Sequence, residues 1–173
     1  MTPSSPVFVG RRAELAELED AIHDTEAGRF RLVVLGGEPG IGKTAAAMEL
    51  ARRASSAGLR VAVCRAWEGA GAPAFWLWRE CLRDLGDDLT LSAGLVGDEA
   101  RFAALEEVVS RVRAATSEAP HLLVLDDLQW ADVPSLLALK LLARTARRVP
   151  LCVVATLRDS ADLSPESSRA LAD

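Results

Sequence analysis

Lysine is scarce in this chain of 173 residues: Lys43 and Lys140 are the only lysines among its 20 basic side chains. The 25 acidic side chains outnumber the basic ones, and the formal net charge is −5. A surface that binds nucleic acid needs clustered, uncompensated Lys and Arg to displace counterions. The composition therefore excludes a broad nucleic-acid surface, and we expect no nucleic-acid contact by this chain.

Cysteine and histidine are also few. Cys64, Cys81 and Cys152 form an odd set without metal-ligand spacing, and two of them lie in apolar, strand-like runs. Cysteine in such runs behaves as a small buried hydrophobe, so we predict reduced, buried thiols of the kind found in cytosolic proteins. His23 and His121 have no partners at ligand spacing, and we predict no role for them.

Long hydrophobic runs are absent as well. No apolar segment approaches the roughly 20 residues that span a bilayer, and the start of the chain lacks the pattern of a secretory signal. We predict a cytoplasmic protein without membrane contact. Half of the residues are hydrophobic, which suits one well-buried core rather than two. We expect a disordered lead over residues 1–7 and a single domain over residues 8–173.

One of the two lysines lies in the most informative stretch of the chain. This stretch follows the apolar run Leu32–Leu35 and matches the phosphate-binding loop pattern over Gly37, Glu38, Pro39, Gly40, Ile41, Gly42, Lys43 and Thr44. Glycines let successive N–H groups point at an anion, Lys43 adds a charge at the β- and γ-phosphates, and the Thr44 hydroxyl suits Mg²⁺. The pattern predicts binding of a nucleoside triphosphate, whereas the alternative, an ordinary Gly-Pro turn, explains less of it.

Apolar strand patterns alternate with helical ones along the rest of the chain. We predict strands at 32–35, 59–64, 121–127 and 151–156, separated by helices, the first of which spans 44–57 and buries Met48, Leu50 and Ala51. A later helix over 101–115 places Phe102 on its buried side, and Asp132 is expected to cap the helix that follows. This alternation predicts an α/β fold with a mostly parallel sheet between two helical layers, a three-layer αβα sandwich.

Polar residues follow three of these strands, at the edge where a parallel sheet binds ligands. Asp126 and Asp127 close the third strand, and Arg158 follows the fourth. Beside a phosphate loop, Asp126 is the candidate magnesium carboxylate opposite Thr44, and Asp127 is the candidate that orients or deprotonates the attacking water. Arg158 is a candidate sensor of the γ-phosphate. The alternatives are turn or cap aspartates and a solvated arginine.

Aromatic residues cluster in the segment Phe75–Trp78, and the chain has four tryptophans in all. Large aromatic side chains at helical spacing are typical of a core. We therefore expect these tryptophans to pack inside the protein rather than to form a platform on which bases stack.

Three motifs together resemble the ATPase domain of large bacterial LuxR-type regulators, which belong to the STAND class of AAA-like NTPases. The motifs are the phosphate loop, the string Leu125-Asp126-Asp127-Leu128-Gln129-Trp130-Ala131-Asp132, and Phe8-Val9-Gly10-Arg11. The resemblance implies ATP and Mg²⁺ as ligands, slow hydrolysis, and a switch in which ATP or ADP controls oligomerisation and transcription. By position it implies that Val9, Gly10 and Arg11 lie near the adenine and ribose.

The same resemblance implies a sheet order of five-one-four-three-two and, after this domain, a helical lid, a repeat array and a helix-turn-helix. The sequence stops before these parts, and we expect a fragment or truncated product that lacks its C-terminal regulatory regions. Without a fifth strand the first strand lies at the sheet edge, and an apolar unpaired edge favours self-association.

Two other functions share the same motifs. A small-molecule kinase would use the same loop and metal carboxylate, although the acidic pair suits activation of water better than transfer to an acceptor. A degenerate remnant would hold ATP without hydrolysing it.

Overall fold

The structure, a computed structural model, describes residues 12–69, 71–89, 97–158 and 165–171, except for the side chains of 12–18, 168 and 171. The expected lead over 1–7 and the candidate residues Val9, Gly10 and Arg11 lie outside the described residues. The elements are α1 (Arg12–Glu26), β1 (Arg31–Gly37), α2 (Lys43–Ser56), β2 (Arg60–Arg65), α3 (Trp76–Asp84), α4 (Asp98–Ala115), β3 (His121–Asp126), α5 (Val133–Thr145), β4 (Leu151–Arg158) and α6 (Pro165–Leu171).

The four described strands form one parallel sheet in the order β1-β4-β3-β2. The α/β fold is therefore confirmed, and the order agrees with the one-four-three-two part of the expected sequence of strands. Within the described residues the sheet ends at β1 on one side and at β2 on the other. Val34 in β1 is 52% exposed, so β1 is an apolar edge strand, as the sequence analysis expects.

The central strand β3 is buried along its whole length. Successive side chains of a strand point to opposite faces, and β3 shows this directly. Leu122 and Val124 join the core beneath α1 and α2, whereas Leu123 and Leu125 join the core beneath α3, α4 and α5. Helices thus cover both faces of the sheet, which is the predicted three-layer arrangement.

Local signals explain where several helices begin and end. Asp132 caps α5, as predicted, because its carboxylate accepts a hydrogen bond from the Ser135 N–H at 2.9 Å. Gly58, with φ of 94°, follows the end of α2 in the left-handed conformation that favours glycine. The predictions of burial are wrong for Met48 and Phe102, which are 39% and 52% exposed, because neighbouring alanines and valines form the packed faces of their helices.

The tryptophans divide between core and surface. Trp78 is buried, and its indole N–H donates to the carbonyl of Ser135 at 2.9 Å. Trp67 and Trp130 are 51% and 38% exposed, so the expectation of a wholly internal set is wrong for these two. The ring of Trp67 instead packs edge to face against the ring of Trp76, with 5.7 Å between the ring centroids.

The prediction of reduced thiols is also wrong in part. Cys64 and Cys81 are joined by a disulfide, with their Cα atoms 5.6 Å apart, because α3 packs against β2 and brings Cys81 to Cys64. Cys152 remains a free, buried thiol as predicted. No described helix is both long enough and apolar enough to cross a membrane.

Candidate functional site

Strand register brings the candidate residues to one edge of the sheet. Gly37, the last residue of β1, pairs with Arg158 of β4. Arg65, the last residue of β2, pairs with Asp126 of β3. Because all four strands are parallel, their carboxyl ends meet at this edge, where α/β folds bind ligands.

The loop after β1 depends on glycine for its shape. Gly40 and Gly42 have φ of 80° and 95°, which side-chain-bearing residues rarely adopt, although a Cβ atom at either position would meet nothing within 4 Å. Glycine is therefore required by backbone conformation and not by space. The loop borders an open cleft of about 460 Å³ that is lined by Pro39, Gly40, Gly42, Lys43, Thr44, Ala45, Asp127 and Arg158.

Lys43 lies inside the loop and is only 8% exposed. Its ammonium group donates hydrogen bonds to the carbonyl oxygens of Gly37 and Glu38, at 2.7 and 2.8 Å. These contacts offset the cost of burying the charge and fix the ammonium beneath the loop. The ammonium group of Lys43 is therefore a fixed positive charge at the cleft.

Asp126 is the buried centre of the site, with 1% exposure. Its Oδ1 accepts hydrogen bonds from the hydroxyls of Thr44, at 2.8 Å, and Thr156, at 2.7 Å. Residues 44 and 126 are 82 positions apart in the chain, and the fold places them in direct contact. A hydroxyl and a carboxylate, the two groups expected to serve Mg²⁺, thus lie side by side, with Thr44 lining the cleft and Asp126 buried behind it.

The other oxygen of this carboxylate is held by an arginine. Arg65 donates to Asp126 Oδ2 from Nε at 3.1 Å and from Nη2 at 2.7 Å. Burial raises the pKa of Asp126, but hydrogen bonds from Thr156, Arg65 and Thr44 outweigh that effect, and the pKa is lowered. The carboxyl is therefore ionised at neutral pH. The hydrogen bond to Asp126 also raises the pKa of Arg65.

Asp127 lines the cleft in an unusual backbone conformation, with φ of 61° and ψ of 47°. Its N–H donates to the Thr156 hydroxyl at 2.8 Å. Its Oδ1 accepts from Nε2 of Gln129 at 2.9 Å, and Oε1 of Gln129 accepts from the backbone N–H of Arg158 at 3.2 Å. The ends of β3 and β4 are thereby joined through side chains.

Three of these contact residues, Arg65, Thr156 and Gln129, have no predicted role. Arg65 and Thr156 lie at the carboxyl ends of strands, and the rule that selects Asp126 would have selected them too. Gln129 has no comparable signal, because its contacts depend on the turn of Leu128–Trp130. Among the described residues no group of three or more His, Cys, Asp or Glu side chains could hold a metal ion.

Known structures share this fold at low sequence identity. The Aeropyrum pernix ORC2 protein, solved as ADPNP-ADP complexes, matches 95% of this chain and 44% of its own length, with 18% identity and a TM-score of 0.60. CDC6P from Pyrobaculum aerophilum matches 98% of this chain and 46% of its own length, with 19% identity and a TM-score of 0.61. The chain thus spans less than half of these two proteins.

A Drosophila ORC structure bound to DNA also matches, with 13% identity over 94% of this chain and 89% of the matched chain, and a TM-score of 0.53. A search of curated proteins by sequence finds no significant match. The family model described as an AAA ATPase domain matches residues 7–154, which include the phosphate loop and the Asp126-Asp127 pair. The chain therefore belongs to the AAA ATPase domain family.

Proposed function

We propose that this protein is an ATP-binding, slowly ATP-hydrolysing switch domain of a bacterial LuxR-type transcriptional regulator of the STAND class. The observation that supports it most is the direct contact of 2.8 Å between the Thr44 hydroxyl and Asp126 beneath a glycine-shaped loop. In a nucleotide site these are the two groups that share one magnesium ion. The proposal includes a cytoplasmic location and no nucleic-acid contact by this chain.

Each residue of the cleft has a defined task in this proposal. The loop from Gly37 to Gly42 directs N–H groups at the phosphates, and Lys43 neutralises their charge. Asp127 orients an attacking water or accepts its proton. Arg158 lines the same cleft and responds to the γ-phosphate. Outside the described residues, Val9, Gly10 and Arg11 are proposed to lie near the adenine and ribose.

Thr44 and Asp126 fit a magnesium ion by their chemistry. Both supply oxygen, which Mg²⁺ prefers, and Mg²⁺ bound with a nucleotide usually takes one or two protein ligands together with phosphate oxygens and waters. When bound, the ion neutralises charge on the phosphates.

Assignment to LuxR-type regulators depends on the string from Leu125 to Asp132. Its residues support each other in the fold, because Asp127 lines the cleft and Asp126 contacts Thr44, while Gln129 and Asp132 make hydrogen bonds that fix the turn and α5. Sequencing the DNA after codon 173 tests the assignment. A reading frame that continues into helical repeats and a helix-turn-helix supports the regulator, and a frame without them counts against it.

ATP binding is tested with the two lysines of the chain. Lys43→Ala should weaken ATP retention in a filter assay at least about tenfold, since a hydrogen bond to a charged group contributes about 1.5–3 kcal/mol. Lys140→Ala is the matched control, because Lys140 lies in α5 and not among the residues that line the cleft. Equal retention by both variants, each with an unchanged melting temperature, would refute the proposal.

Hydrolysis and phosphoryl transfer are separated by product analysis. Asp127→Asn should retain ATP while phosphate release falls by about 10²-fold or more, since a positioned general base contributes on that order. Phosphate that appears only on an added acceptor would instead favour a small-molecule kinase.

A non-hydrolysing ATP-binding remnant is the second candidate, and one observation favours it. Lys43 and Asp126 both already have partners inside the protein, the loop carbonyls of Gly37 and Glu38 for Lys43 and the guanidinium of Arg65 for Asp126. A site that never rearranges these contacts would hold nucleotide without turnover. Bound ATP that persists for hours with Mg²⁺ and releases no phosphate would support this candidate.

A further inference from the structure

Gln129 makes hydrogen bonds with two candidate residues that line the cleft, Asp127 and Arg158. It lies in the short 3-10 turn after β3 and is 6% exposed. Its amide donates to Asp127 Oδ1 at 2.9 Å and accepts from the Arg158 N–H at 3.2 Å. Both hydrogen-bonding ends of one nearly buried side chain are thus used, one on each candidate residue.

Two hydrogen bonds orient the carboxylate of Asp127, one made by its backbone N–H and one by its side chain. The left-handed backbone conformation, with φ of 61°, is unfavourable for a residue other than glycine and persists where surrounding contacts impose it. The hydrogen bond from the Asp127 N–H to Thr156 is one such contact. The second is the bond from Gln129 to Oδ1, while Oδ2 lies 3.8 Å from Arg65 Nε.

Arg158 is the last residue of β4 and lines the cleft together with Asp127. Its backbone N–H, in the part of β4 that pairs with β1, is the group that Gln129 accepts from, so the Gln129 amide is fixed to the end of β4. The same amide group donates to Oδ1 of Asp127. A rigid, planar amide is suited to joining these two groups because its donor and acceptor ends move together.

We propose that Gln129 is a positioning residue that holds the carboxylate of Asp127 in place relative to the end of β4, where Arg158 lines the cleft. This inference rests on the proposed ATP hydrolysis. In this proposal Gln129 itself contacts neither the nucleotide nor the attacking water. It holds the carboxylate of Asp127 in the orientation that meets the attacking water.

The test compares three variants of the full chain. Gln129→Leu removes both hydrogen bonds at similar volume, and Gln129→Glu keeps an acceptor for the Arg158 N–H but loses the donor to Asp127. Trp130→Phe is the control, since Trp130 lies in the same turn and is partly exposed. Kd is measured with a fluorescent ATP analogue, single-turnover hydrolysis with radioactive ATP, and folding by thermal melting.

In both Gln129 variants we expect hydrolysis to slow by about tenfold, the equivalent of one lost hydrogen bond. We expect Kd to stay within about twofold, because Gln129 acts on the hydrolytic step and not on ground-state binding. Trp130→Phe should match the wild type in both measurements. A residue that merely stabilised the turn would lower the melting temperature and affect binding and hydrolysis alike.

A double-mutant cycle adds a second readout. If Gln129 acts through Asp127, combining Gln129→Leu with Asp127→Asn should cost less than the product of the single losses. Losses that multiply would overturn the positioning role, as would a loss of affinity equal to the loss of rate.

The outcomes also separate this inference from the proposed function. A wild-type protein that binds no ATP overturns both. Binding without any phosphate release overturns the inference, because no hydrolytic step is then left to position, and it supports the remnant. Normal hydrolysis in the Gln129 variants overturns the inference alone.

Discussion

Arg65 and Asp126, neighbours in the register of β2 and β3, form an ion pair in which Nη2 lies 2.7 Å from Oδ2. The guanidinium is largely exposed, whereas the carboxylate is 1% exposed. The charge of the candidate magnesium carboxylate is therefore neutralised by an arginine whose side chain is exposed to solvent. Any cation that approaches Oδ2 has to displace this arginine.

Replacing this arginine should lower the Mg²⁺ concentration that ATP binding requires. In Arg65→Ala we expect half-maximal ATP binding at a lower Mg²⁺ concentration, because no guanidinium competes for Oδ2. The measurement is a Mg²⁺ titration of fluorescent ATP binding. Arg60→Ala, at the opposite end of the same strand, should titrate like the wild type. A higher Mg²⁺ requirement in Arg65→Ala would contradict the competition.

Thr156 should be important for stability as well as for the site. Thr156→Val keeps the shape of the side chain but removes the donor to Asp126 and the acceptor of the Asp127 N–H. We expect a loss of about 1–3 kcal/mol in the free energy of unfolding, the cost of leaving buried polar groups unpaired. Urea denaturation measures it. Thr145→Val removes an exposed hydroxyl that bonds Leu141 and should change stability little.

Stability should depend on pH through His121 in the range just below neutral. Burial lowers the pKa of this imidazole from 6.5, an effect that its backbone contact to Ala119 only partly opposes. The unfolded chain then binds more protons than the folded one below about pH 6.5, so the free energy of unfolding falls as the pH falls through that value. Thermal melting of the wild type should show this loss between pH 7 and 5.

His121→Gln should flatten that profile, because the titrating group is gone. His23→Gln is the control, since its side chain is 82% exposed. A wild-type profile that His121→Gln leaves unchanged would rule out this histidine as the cause.

The number of cysteines that react with a thiol reagent should differ among the native protein, the unfolded protein and the unfolded, reduced protein. Burial raises the pKa of Cys152 to about 12, so its thiol should not react with Ellman's reagent while the protein is folded. The disulfide of Cys64 and Cys81 leaves no other thiol to react. We expect no reactive thiol in the native protein, reaction of Cys152 alone after unfolding, and reaction of all three cysteines after unfolding with reductant. A native protein with reactive thiols would contradict the disulfide.

Local patterns were enough to predict the sheet, its helices and most of the cleft. β3 is a continuous apolar run, and such runs occur in parallel strands that are covered on both faces. The loop from Gly37 to Thr44 combines residue types whose chemistry is specific for phosphate. The predictions of burial are wrong where burial depends on packing against residues that are distant in the sequence, as at Met48 and Trp67.

The sequence by itself determined the residue types at each strand end, because backbone preference, apolar periodicity and phosphate chemistry are properties of short segments. Only the tertiary structure decided which of these residues touch. Arg65, Thr44 and Thr156 converge on one carboxylate from three different elements, and Gln129 spans two strand ends. Such contacts depend on register and packing between segments far apart in the chain, and hydrogen bonds require positions accurate to a few tenths of an ångström.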